Sequence, residues 1–330
     1  MSWEEGRDVA AHSEGSVVPE YERTHRIPHP VSQDTGARRQ RGGLGRALFV
    51  TARPRQWAKN VLVFGAPATG GALLEPRLVA RAVLVFLAFC LASSGMYYVN
   101  DIVDRPMDRA HPRKRLRPIA AGQLAVAPAL AVAVLLVASG VAVAVWGGGL
   151  RVAAVVAAYV SLALAYTLML RNIVLVDLAA VAGGFVLRAA AGGVAVRVPL
   201  SSWFLLVACF GALFIATGKR RAEHSYLGQN RGDHRKTLEE YSEPYLRYIM
   251  SSASTVTITA YCLWAFEGAS GRSLAAALSI LPLVLGVYRY AMLLDAGRGG
   301  APEDVVLRDR PLQLCGLLWI LLVAIGVYLR

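Results

Sequence analysis

The chain has 330 residues, 55 % hydrophobic and only 17 % charged, with a formal net charge of +13 and a mean hydropathy of +0.45. That balance excludes an ordinary soluble domain and points to an integral membrane protein. A pI near 10.0 usually suggests nucleic-acid binding. Here the basic residues lie in short loops between apolar runs, where anionic headgroups and a polyanionic substrate account for them better.

In chain order, residues 1–44 come first. They are polar, contain Pro, Ser, Gly and His, show no cleavable-signal pattern, and read as a disordered cytosolic tail whose basic cluster is Arg38, Arg39 and Arg41. Residues 45–330 read as one transmembrane catalytic domain. A crossing needs about 20 mostly apolar residues, and nine stretches qualify: 55–74, 78–99, 124–146, 151–170, 174–196, 200–217, 247–266, 273–294 and 311–329. The first is the weakest. Its opening half is polar, and Arg53, Arg55, Trp57, Lys59 and Asn60 form a stripe suited to a hydrated cavity rather than to lipid. Loops 101–123, 218–247 and 295–310 carry six, seven and three Lys/Arg, whereas the alternate loops carry one each, near Arg151, Arg197 and Arg272. By the positive-inside rule the basic loops and the N-terminus are cytosolic and the C-terminus is outside, in the plasma (inner) membrane. Cys90, Cys209, Cys262 and Cys315 stand singly in apolar segments and read as small buried hydrophobes.

The chemistry concentrates at the end of the second span, in YYVNDIVDRPMDRAHPRKRLRP (97–118). If the helix continues, Asn100, Asp104 and Asp108 stack on one face with Asp101 beside them. Carboxylates so close repel unless a cation sits among them, and hard oxygen ligands suit Mg²⁺ with substrate phosphates completing its shell. Arg109, His111, Arg113, Lys114, Arg115 and Arg117 follow at once, as phosphate-facing groups would. Tyr166, Arg171 and Asp177 span the junction of the fourth and fifth stretches. Arg188 is an intramembrane charge expected to face the bundle interior. Lys219, Arg220, Arg221 and Glu223 end the sixth. Acid for a metal and base for a phosphate, at a membrane surface, imply chemistry on a diphosphate with a lipid partner.

These residues resemble the UbiA superfamily of intramembrane transferases. Its first motif, N-D-x-x-D-x-x-x-D, is matched by Asn100, Asp101, Asp104 and Asp108, and its second signature by Tyr166, Arg171 and Asp177. The resemblance runs from about Arg53 to the C-terminus and implies an all-α integral membrane protein. The expected fold is a nine-transmembrane-helix bundle around a central cytosol-facing cavity, with Mg²⁺ held by acidic clusters. The phosphoribosyl branch of the superfamily is the closer likeness, carried by RPRQWAKNVLVFGAP (53–67), NDIVDRPMDRAHPRKRLRPIAAG (100–122), LRAAAGGVA (187–195), GKRRAE (218–223) and RKTLEEYSEPYLR (235–247). It implies transfer of 5-phosphoribose from phosphoribosyl pyrophosphate to polyprenyl (decaprenyl) phosphate, with release of pyrophosphate, for actinobacterial cell-wall arabinan precursors.

On that resemblance Asn100, Asp101, Asp104 and Asp108 hold Mg²⁺, and Arg117, Lys219 and Arg220 grip the 5-phosphate. Lys59 and Arg188 seat the acceptor phosphate, and Arg55, Arg113 and Lys114 add base for the substrate. Aromatic prenyltransferases of the superfamily carry a second acidic pair after the sixth span, where this chain has Gly218-Lys219-Arg220-Arg221. A prenyltransferase joining a polyprenyl diphosphate to an aromatic acceptor is the alternative. A transporter predicts internal repeats or broken helices, and the sequence shows no convincing repeat. A homo-oligomer, in the first instance a trimer, is expected from the many apolar helix faces and from the resemblance.

Overall fold

The computed structural model describes residues 43–112, 114–227, 236–267, 273–297 and 302–329. Arg113 and all but the last two residues of the expected tail lie outside them. Helix is the only regular structure among the described residues. This is what a bilayer requires of a chain that closes no barrel, since each backbone N–H and C=O must be satisfied within its own segment.

The opening segment is broken. Helix α1 (Leu44–Ala52) stops because Pro54 lacks an N–H and disfavours helical backbone at the residue before it. Arg53 takes a left-handed conformation, φ 53° and ψ 59°. The chain continues as a 3₁₀ segment, Pro54–Phe64, and then as α2 (Gly65–Thr69). At one end of this segment Tyr98 Oη donates to the Leu48 carbonyl (2.7 Å); at the other, Tyr328 Oη donates to the Ala68 carbonyl (2.9 Å).

Helix α3 (Pro76–Val103) crosses back, followed by the short α4 (Arg105–Ala110). Helix α5 (Val126–Leu168) reaches 43 residues because two spans join at Gly149, whose φ of 76° with ψ of −173° suits glycine alone. The expected stretches 124–146 and 151–170 are its two halves. The rest is α6 (Val176–Val196), α7 (Ser202–Leu227), α8 (Lys236–Glu240), α9 (Glu243–Glu267), α10 (Leu274–Leu278), α11 (Ile280–Asp295), α12 (Pro302–Arg308) and α13 (Arg310–Tyr328). Seven stretches are long and apolar enough to cross a membrane. Dividing α5 at Gly149 makes eight among the described residues, which is compatible with the nine expected. The chain is a multi-pass membrane protein.

Between helices in lipid the hydrophobic effect is weak, so close backbone approach through small residues does much of the holding. A Cβ on Gly140 would lie 2.9 Å from the Ala88 carbonyl of α3, and one on Gly95 would lie 2.8 Å from the Ala133 carbonyl of α5. The tightest approach joins α6 to the 3₁₀ segment: a Cβ on Gly192 would lie 1.8 Å from the Val63 carbonyl oxygen. Gly192→Ala therefore forces the two elements apart and destabilises the protein by about 1–3 kcal/mol, read as a lower midpoint of thermal unfolding in detergent. A variant that melts with the parent would show this contact to be slack. Around it, Val63, Val85, Phe89, Val152 and Val156 are fully buried, and the Phe89 and Tyr159 rings pack with centroids 5.3 Å apart.

Candidate active site

The acidic motif runs through the junction of α3 and α4. Helix α3 delivers Asn100 and Asp101 and gives way at Asp104 (φ −79°, ψ −4°); α4 restarts with Pro106 in its first turn. Proline cannot donate to the carbonyl four residues back, but the helical spacing of 100, 104 and 108 persists through the junction: Asp104 N–H donates to the Asn100 carbonyl (2.9 Å) and Asp108 N–H to the Asp104 carbonyl (2.8 Å). The motif divides in two. Asp101 and Asp108, each 2 % exposed, converge on Arg117, whose Nη1 lies 3.2 Å from Asp101 Oδ1 and 2.6 Å from Asp108 Oδ2. Asp104 instead accepts from Asn100 Nδ2 at 3.0 Å and pairs with Arg171. The break before Pro54 aims Arg53 at the first group: its Nη2 lies 2.5 Å from Asp101 Oδ1 and its guanidinium covers the Tyr97 ring at 5.0 Å.

The donors present fit the expected Mg²⁺. A single guanidinium nitrogen bridges Asp101 and Asp108, so their oxygens already lie within reach of one cation, and carboxylate and amide oxygens are its preferred ligands. Asp104 and Asn100 stand beside that pair. Among the described residues no three acidic, His or Cys side chains close on one point, because Arg171 draws Asp104 to itself.

A second cluster organises around Asp177, fully buried in the first turn of α6. It accepts from Arg220 Nε at 3.0 Å and from Tyr241 Oη at 2.7 Å. Arg220 also donates to Glu223 Oε2 (2.9 Å) and Tyr166 Oη (3.0 Å). Tyr241 Oη accepts the Leu175 N–H at 2.8 Å, bracing a non-glycine residue held at φ 66°. Burial, reinforced by the Asp177 carboxylate, pushes the Tyr241 phenol above its ordinary value, so it remains a neutral donor. The second signature is thus divided as well: Tyr166 and Asp177 face Arg220, while Arg171 faces Asp104.

Arg188 lies deep in α6 and is 6 % exposed. Its Nε donates to Asn60 Oδ1 (2.7 Å), its Nη1 to the Gly184 carbonyl (2.7 Å) and its Nη2 to Tyr159 Oη (2.9 Å), with the guanidinium 4.4 Å from the Tyr159 ring centroid. Asn60 is fully buried and reaches on to Cys90 Sγ and Ser93 Oγ of α3. Lys59 and Lys114 are half-buried, Arg55 and Lys219 are exposed, and Lys219 Nζ lies 3.9 Å from Glu223 Oε1. Arg221 ties α7 to Glu243 of α9 and Asp295 of α11. The expected site residue Arg113 lies outside the described residues.

Three contributors go beyond the expected set. Arg53 belonged to the polar stripe, and its place before Pro54 was a readable signal. Tyr241 lay within RKTLEEYSEPYLR. Tyr159 gave none, since one aromatic in an apolar span reads as packing.

Residues 62–308 match the UbiA prenyltransferase family. The chain belongs to that family. It is 39 % identical over 309 residues to the decaprenyl-phosphate phosphoribosyltransferase of Corynebacterium glutamicum, spanning 92 % of this chain and 93 % of that one. To the enzyme of the same name from Mycobacterium tuberculosis it is 42 % identical over 281 residues, spanning 83 % of this chain and 92 % of that one. The solved structure of a UbiA homolog from Archaeoglobus fulgidus bound to GPP and Mg²⁺ superposes with a TM-score of 0.65 at 16 % identity, covering 85 % of this chain and 98 % of that one. That likeness speaks for the UbiA fold alone.

Proposed function

We propose that this UbiA family member transfers 5-phosphoribose from phosphoribosyl pyrophosphate to a polyprenyl phosphate and releases pyrophosphate; decaprenyl phosphate is the acceptor in the names of its relatives. One observation carries the reading on this chain's own residues: Arg53, Arg117 and Arg171, all partly exposed, gather on the carboxylates of the acidic motif. A donor bearing both a diphosphate and a 5-phosphate supplies the anions so many cations call for, whereas aromatic prenyl transfer brings one diphosphate.

Asp101 and Asp108, with Asp104 and Asn100, are assigned to Mg²⁺. When bound, the ion neutralises charge that builds on the leaving pyrophosphate oxygen. Arg53, Arg117 and Arg171 are planar donors able to take phosphate oxygens two at a time and so orient the donor, with Arg55, Arg113, Lys114 and Lys219 adding charge around them. Lys59 is assigned to the acceptor phosphate, and Arg188 to holding Asn60, and with it the 3₁₀ segment that carries Lys59. Tyr166, Asp177 and Arg220 form the buried brace between α5, α6 and α7. In the reaction the C1–O bond to pyrophosphate breaks and a C1–O bond to the acceptor phosphate forms on the opposite face, inverting C1. The acceptor is anionic at neutral pH and needs no general base, so catalysis is positioning and electrostatics. The basic loops assign the acidic end to the cytosol and the protein to the plasma membrane. The outward leucines of α13, Leu314, Leu317 and Leu321, offer lipid or further copies of the chain an apolar face, as an oligomer such as a trimer would use.

The test is incubation of detergent-purified protein with labelled phosphoribosyl pyrophosphate and polyprenyl phosphate. Label passes into the lipid-soluble fraction, EDTA stops it, and added Mg²⁺ restores it. Transfer that proceeds unchanged in EDTA would remove the metal assignment, and absence of lipid-soluble label under all conditions would remove the reaction.

A further inference from the structure

At the end of the bundle away from the acidic motif, the lone arginines of separate loops meet. Arg81 of α3, Arg151 just past the Gly149 reversal and Arg197 at the C-cap of α6 line one pocket of about 660 Å³ with Trp146 and Gly147–Gly149. Arg81 precedes Asp101 by twenty residues on α3, and Arg197 follows Asp177 by twenty along the chain, mostly within α6. At 1.5 Å per residue each interval is about 30 Å, the thickness of the hydrocarbon core. The pocket therefore sits at the opposite membrane face. Trp146, 79 % exposed, marks headgroup depth, where tryptophan gathers.

All three arginines are exposed, and none of their side chains makes a hydrogen bond or ion pair among the described residues. They are few on a face that the charge distribution otherwise keeps poor in base, yet they come together from three elements. Like charges gathered this way repel unless an anion lies among them. Guanidinium groups on several sides of a concave surface suit the oxygens of a phosphate. The reversal that brings Arg151 there depends on a backbone conformation only glycine takes readily, so the pocket's shape is set by the fold.

We propose that Arg81, Arg151 and Arg197 hold a phosphate group at the membrane face opposite the acidic motif. Its depth makes the headgroup phosphate of an anionic phospholipid the first source to try, and free inorganic phosphate the second. Occupancy would clamp together the α3 start, the α5 reversal and the α6 end, so binding stabilises the bundle by mass action.

The full chain in micelles is titrated with phosphatidylglycerol, with phosphatidylcholine and with inorganic phosphate, reading bound lipid by native mass spectrometry and the unfolding midpoint. Phosphatidylglycerol is expected to be retained and to raise the midpoint, and phosphatidylcholine to do neither. Arg151→Gln/Arg197→Gln lowers that retention roughly tenfold or more. Arg151→Lys/Arg197→Lys keeps most of it, and Asp104→Ala leaves it unchanged. Arg81→Gln alone serves if the double variant does not fold. Arginine-dependent stabilisation by inorganic phosphate without the lipid effect assigns the site to the free ion. Equal binding of both lipids and of phosphate by parent and variants overturns the proposal.

Discussion

Asp104→Ala eliminates phosphoribosyl transfer, lowering kcat/KM by roughly 10³-fold or more, while the protein still folds. Asp104 is the right carboxylate for this experiment because of where its partners lie. Asp101 and Asp108 are almost fully buried and share Arg117, so removing either disturbs a packed contact and leaves a cavity. Asp104 keeps 15 % of its side-chain surface and its partner Arg171 keeps 16 %, which leaves both a path to water. Its loss therefore costs about 1–2 kcal/mol, within the ordinary range for a single substitution. Asp104→Asn should fail as badly: it keeps the shape and a carbonyl for Asn100 but lacks the negative charge required beside a divalent ion. Melting curves of both variants separate lost chemistry from lost fold. Turnover near the parent's, with Mg²⁺ dependence intact, would show that the ion is held without Asp104.

The spans were legible because a membrane crossing is a local property, about twenty apolar residues in a row. The turn between the halves of α5 was legible for the same reason, as a glycine-rich gap between two such runs. The broken opening segment was half legible: RPRQWAKN announced polarity, and Pro54 announced an interruption, but the 3₁₀ winding of Pro54–Phe64 depends on packing against α3 and α6. The helical spacing of the acidic motif was legible, whereas the partners of its carboxylates were not. Helical periodicity puts Asp101 and Asp108, seven residues apart, on one face, and they do share Arg117, but it is silent on the pairing of Asp104 with Arg171. The arginine partners stand 48 and 67 positions from the carboxylates they meet, for Arg53 with Asp101 and Arg171 with Asp104. No periodicity reaches so far. Arg220 shows the same limit. Within GKRRAE it looks like free base at a helix end, and only the folded chain shows it against Asp177, Glu223 and Tyr166.

Removing either member of the Asp177–Arg220 pair costs about 3–5 kcal/mol, the range for leaving an uncompensated charge inside a protein. Asp177 is fully buried and Arg220 is 5 % exposed. Asp177→Ala leaves Arg220 with Glu223 and Tyr166, deprives Tyr241 of its acceptor, and so loosens the hydroxyl that braces Leu175. Arg220→Ala leaves a buried carboxylate with Tyr241 as its remaining donor. Asp177→Ala/Arg220→Ala removes both charges together, so it should be less destabilised than the two single losses added, with a coupling of about 1–3 kcal/mol. Unfolding midpoints of the parent, the two singles and the double in one detergent close the cycle. A second readout tests what the pair is for. Arg220→Lys keeps a cation but loses the planar fork that spans Asp177, Glu223 and Tyr166; as a brace it should lower the midpoint while KM for phosphoribosyl pyrophosphate stays within a few-fold. A large rise in KM with the midpoint unchanged would return Arg220 to the donor phosphate, and strictly additive single losses would mean that the two side chains do not act as one unit.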